Sequence, residues 1–161
     1  MRPNRSLQQT CYSEYEFPRR ALAALPLAFG LHVAEEWFGG FTAWTAATLG
    51  RGVGAESFLI VNGIAVPVVA LVVLVALRNP RLLPAALVVA AVLTLNGVLH
   101  ALATLAFGVY SPGVVTGVLL YLPLGGSVLL WAFRSISPMG FTAVLLAAVM
   151  VHALVSMIAF E

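Results

Sequence analysis

His32-Val33-Ala34-Glu35-Glu36 sets one imidazole and two carboxyl groups into the far end of an otherwise apolar helix. On a helix the spacing i, i+3, i+4 brings all three side chains to one face. Such groups are expensive inside a lipid-spanning segment and rarely face lipid, so each requires something that stabilises it. A cation, most directly a metal ion, satisfies imidazole and carboxylate together, with partners drawn from other helices.

Two more imidazoles, His100 and His152, stand in separate apolar stretches. Nitrogen and oxygen donors of this kind suit zinc, iron or manganese. The expected ligands are His32, Glu36, His100 and His152. Three histidines and a carboxylate would close a mononuclear site, whereas two histidines and one carboxylate would leave a position open for water or substrate. Glu35 and Glu36 are both candidates for catalytic work, one as ligand and the other as general base. Asn96, Asn62 and Tyr121 are expected around the ion or against a substrate. Cys11 is the only cysteine, which rules out an internal disulfide and a cysteine-based zinc site. No organic cofactor is expected.

Composition says what must position these groups. The chain has 161 residues, 61% hydrophobic and only 9% charged, with a mean hydropathy of +1.03. A soluble domain carries about 25% charged residues, so the expectation is an all-α integral membrane bundle. The net charge of +2 speaks to orientation rather than to nucleic acid. Residues 1–18 read as a polar cytoplasmic tail, and 19–161 as a membrane domain of five transmembrane helices over about 21–38, 57–77, 84–107, 114–133 and 138–160. Phe41 to Glu56 is too polar to span and too apolar for a plain loop; it is expected to lie along the interface or to form a lid over the site. Tyr110-Ser111-Pro112-Gly113 is a turn signal.

With a cytoplasmic N-terminus, every arginine except Arg51 falls on the inner side, as the positive-inside rule favours. Counted from that side, His32, Glu35, Glu36, Asn62, Asn96, His100, Tyr121 and His152 lie 12 to 16 residues deep. At 1.5 Å per residue this is one polar layer about 18 to 24 Å from the inner border. The spans thus converge on a single pocket. Gly63 and Gly97 are expected to let helices approach closely.

The His32–Glu36 sequence at the end of a first span resembles the signature of the HXXEE domain family, small multi-spanning proteins without an assigned function. Asn96-Gly97-Val98-Leu99-His100 and Tyr110-Ser111-Pro112-Gly113 are similar to features of the same family, and the resemblance covers roughly residues 22–160. It implies no reaction. The residues themselves point to a membrane-embedded metalloenzyme, a hydrolase or oxidoreductase acting on a membrane lipid or lipid-like molecule, in the bacterial inner membrane and with a homo-oligomer possible. Two other readings stand beside it: a small proton- or cation-coupled transporter, and a structural or partner-binding membrane protein whose polar layer fixes helix packing.

Overall fold

The computed structural model describes residues 16–160; the tail with Cys11, and Glu161, lie outside them. The described residues are all-α. Five long helices pack side by side: α1 (Arg19–Phe38), α3 (Ala55–Arg78), α4 (Leu83–Phe107), α5 (Val114–Ser135) and α6 (Pro138–Ala159). A short helix, α2 (Phe41–Leu49), lies between α1 and α3. The core runs through α1, α4 and α5, with Leu22, Leu25, Leu87, Ala90, Tyr121 and Val128 fully or almost fully buried. The outer faces stay apolar and exposed, as at Leu71, Leu105 and Leu146, the pattern of helices whose solvent is hydrocarbon.

Among the described residues four helices, not five, are long and apolar enough to cross a membrane: α3, α4 with the turn before it, α5 and α6. The expected first span falls short. Arg19, Arg20, His32, Glu35 and Glu36 all fall within the 20 residues of α1, so the groups that make the site also make this helix the most polar of the long ones.

Local chemistry explains the joints. Pro80, Leu82 and Pro84 start α4 through a tight turn in which the Asn79 side chain accepts from the Arg81 N–H. Ser137 caps α6 by accepting from the Gly140 N–H, with Pro138 in the first turn. In α5 the backbone widens to a π turn over Gly117–Tyr121. It lies just before Pro123, whose missing N–H removes a bond from the regular helix. The widened turn brings Gly117 onto Gly97 of α4, where a Cβ on Gly97 would lie 2.9 Å from the Gly117 carbonyl oxygen. Gly97 therefore serves close approach as expected. Gly63 does not: a Cβ there would meet nothing within 4 Å.

Candidate metal centre

His32 and Glu36 stand on successive turns of α1, and His100 comes from the facing side of α4. Glu36 Oε1 lies 3.4 Å from His32 Nε2 and 3.2 Å from His100 Nε2. The three candidate ligand atoms all fall within 4.8 Å of one another. His32 is fully buried, and Glu36 and His100 are 7% and 6% exposed. The two imidazoles meet edge to face at 4.9 Å.

Each imidazole is held from behind by a hydroxyl. Thr116 Oγ1 sits 2.8 Å from His32 Nδ1, and Ser111 Oγ sits 3.0 Å from His100 Nδ1. The Asn96 amide donates to His32 Nε2 at 3.0 Å. That donor assigns the tautomer: His32 Nδ1–H donates to Thr116, and Nε2 carries the ring's one lone pair, which accepts from Asn96 here and which an ion at the cluster would have to take over. A hydrogen bond at one ring nitrogen that orients the other toward an ion is the usual support of a metal-bound histidine.

Ser111 belongs to the segment joining α4 to α5, and Thr116 to the first turn of α5 just beyond it. In that segment Gly113 adopts φ +104°, a left-handed conformation that disfavours any side chain. It also occupies the space between the rings, since a Cβ would lie 2.7 Å from His32 Cε1 and 2.8 Å from His100 Cε1. Only backbone fits there.

Glu35 does different work from its neighbour. Its Oε1 accepts from the Tyr110 hydroxyl at 2.6 Å and the Val115 N–H at 3.0 Å, and its Oε2 accepts from the Thr116 N–H at 2.7 Å and from the Thr116 hydroxyl. The carboxylate thereby satisfies N–H groups at the start of α5 that have no partner within the helix. Partial burial and the bond to Glu35 push the Tyr110 hydroxyl up to about 12, so it stays a donor through neutral pH. Glu35 thus ties α1 to the segment that carries Ser111, Gly113 and Thr116.

The remaining expected residues fall in three places. Asn96 joins the cluster through His32. Tyr121 is fully buried with its ring 4.5 Å from that of His32, and its hydroxyl has no hydrogen-bond partner among the described residues. Asn62 is turned to its own helix, donating to the Phe58 carbonyl at 3.0 Å. His152 is half-buried on α6 and is not one of the three residues brought together. The lid expectation for 41–56 has a counterpart in α2, whose Phe41 ring lies 5.7 Å from His100.

Sequence reasoning passed over Ser111, Gly113 and Thr116 as site residues. The available signal was position: a Ser-Pro-Gly turn and a threonine at the same end of the bundle as the His32 triad.

The described residues combine an all-helical fold, four helices long and apolar enough to cross a membrane, and a buried cluster of two imidazoles and one carboxylate that could hold a metal ion, the class of a membrane-type helical protein with a candidate metal centre. A family model described as "Protein of unknown function with HXXEE motif" matches residues 23–128, more than half of the chain. The chain belongs to the HXXEE family. No curated protein and no solved structure matches it significantly.

Proposed function

We propose that this protein is a membrane-embedded metalloenzyme in which His32, Glu36 and His100 hold one divalent ion, zinc, iron or manganese, and that it acts on a lipid-like molecule. The supporting observation is the geometry of Glu36. Its distances of 3.2 and 3.4 Å to the two Nε2 atoms are longer than the roughly 2.7–2.9 Å of a charge-assisted hydrogen bond. They are close to the roughly 3.3–3.4 Å edge of a coordination tetrahedron with bonds of about 2.0–2.1 Å, and the third edge, between the two imidazoles and within 4.8 Å, would have to draw in around an ion. Electron pairs from three side chains converge with hydroxyls anchoring both rings from behind, and a cation at their centre compensates all three.

Two histidines and a glutamate leave a fourth position open, the ligand count of a catalytic rather than a structural site. An ion so held would polarise a carbonyl or phosphoryl oxygen or acidify a bound water. The protein's own contribution is to fix the rings through Ser111 and Thr116 and to exclude water by burial beneath Phe41. Arg19, Arg20, Arg78, Arg81 and Arg134 all stand at the opposite end of the helices from the cluster, which favours an orientation with the site in the non-cytoplasmic half of the bilayer.

The test is elemental analysis of protein purified in mild detergent. About one ion per chain is expected, lost in Glu36→Ala, with a chelator lowering the melting temperature of the wild type. Metal-free protein that neither binds added zinc, iron or manganese nor changes stability in chelator would overturn the reading.

A further inference from the structure

Away from the cluster, α1 and α3 part to leave a groove of about 430 Å³ on the outer face of the bundle, walled by Gly30, Val33 and Trp37 on one side and by Asn62, Gly63 and Pro67 on the other. The glycines account for the gap, since a Cβ on either would meet nothing within 4 Å. Pro67 gives the groove its chemistry. It lies inside α3 and has no N–H, so the carbonyl of Gly63, four residues earlier, loses its partner in the helix. Membrane helices tolerate proline when a neighbouring helix or a polar side chain satisfies the freed carbonyl. Here the neighbouring helix lines the groove with Gly30, Val33, Ala34 and Trp37, and none of them makes a side-chain hydrogen bond to the Gly63 carbonyl among the described residues. Asn62 adds a second acceptor beside the first: its amide N–H donates to Phe58, and its Oδ1 accepts no hydrogen bond among the described residues. An unpaired carbonyl facing hydrocarbon costs several kcal/mol.

We propose that this groove binds an apolar molecule carrying a hydroxyl, a long-chain or polycyclic alcohol, whose O–H donates to the Gly63 carbonyl or Asn62 Oδ1 while its hydrocarbon fills the space left by Gly30 and Gly63. The walls are otherwise apolar, and the groove offers two oxygen acceptors beside the second Asn62 N–H and the Trp37 indole N–H, so a hydroxyl, which donates and accepts, is the complement they require. A phospholipid acyl chain fits the shape but supplies no donor. Trp37 stacks on Phe58 at 5.7 Å, and Phe41 tilts against Phe58 at 6.2 Å and lies 5.7 Å from His100, so a row of rings stands between the groove and His100. The groove is therefore a separate site, and it does not depend on a metal being bound.

The full chain in phosphatidylcholine nanodiscs is photolabelled with a diazirine-bearing long-chain alcohol and, in parallel, with its methyl ether. The alcohol is expected to label α1 and α3 at the groove about five- to tenfold more than the ether, the worth of one hydrogen bond. Pro67→Ala, which returns an N–H to Gly63, combined with Asn62→Leu, is expected to bring the alcohol down to the level of the ether. Gly63→Leu is expected to abolish labelling by both. Equal labelling by alcohol and ether in the wild type would show chain filling alone and overturn the proposal, as would alcohol labelling that survives Gly63→Leu in folded protein.

Discussion

Gly113 stands so close to His32 that a methyl group on its Cα would lie 2.7 Å from the imidazole Cε1. The backbone of the α4–α5 connection therefore acts as a spacer that sets the separation of His32 and His100. Gly113→Ala is expected to lose about 2–4 kcal/mol, from the left-handed backbone and the overpacked rings together. Chemical denaturation in detergent micelles checks the loss, and zinc titration of the folded fraction checks that the ring geometry goes with it.

The two adjacent glutamates are expected to fail in different ways. Glu36→Gln removes the charge that faces both Nε2 atoms and is expected to weaken metal binding at least about a hundredfold while leaving the fold intact. Glu35→Gln retains the side-chain shape but weakens four accepted hydrogen bonds, and is expected to cost stability on the order of 1–3 kcal/mol with the metal stoichiometry retained. Parallel isothermal titration and unfolding of the two variants separates the roles. Equal loss of affinity in both would contradict the division.

Thr116 and Ser111 orient the rings without reaching the cluster centre. Thr116→Val and Ser111→Ala are each expected to weaken metal affinity about 10- to 100-fold, the range seen when a ligand histidine loses the group behind it. Thr116→Ser, which keeps the hydroxyl, is expected to restore most of it. Nitrogen NMR of labelled histidine should show His32 losing its single tautomer in the valine variant.

Tyr110 carries a pH signature. Its hydroxyl is raised from 10 to about 12 in the folded chain, so folding favours the protonated form. The stabilisation is complete below pH 10 and is lost as pH rises through 12. A folded-state phenol titrating near 12 in ultraviolet difference spectra, absent in Tyr110→Phe, is the expected result. A full complement of tyrosines titrating near 10 would argue against the Glu35 contact.

His152 is expected to be dispensable for the ion. His152→Ala should retain wild-type metal stoichiometry and affinity within about twofold, because it is not among the three converging residues. Loss of the ion in this variant would show a fourth ligand.

Much of this was legible in the sequence because depth along a helix is a one-dimensional quantity. Counting residues from Arg20 and from Pro84 placed His32, Glu36, Asn96 and His100 at one level, and the helices do bring them together. Rotation about each axis is not legible in the same way. Glu35 and Glu36 differ by about 100°, and only the packing of α1 against the α4–α5 segment turns one to a clamp and the other to the imidazoles. The same limit hid Ser111 and Thr116, whose bonds to the rings join residues 11 and 84 positions apart. Gly63 and Gly97 were indistinguishable by composition, yet one is pressed against Gly117 and the other borders open space. The count of membrane-length helices was overstated because the triad that marks the site also erodes the apolarity of the helix that carries it.

Gly97 and Gly117 meet main chain to main chain, which leaves α4 and α5 no slack to slide or spread at that level. His100 and Thr116 ride on this seam as if on a fixed jaw. Any admission of a guest to Glu36 must then be accommodated by the opposite flank, where Gly40 and Gly50, both in left-handed turns, bracket α2 and its Phe41 ring. Breathing of the site is thereby assigned to one side of the bundle.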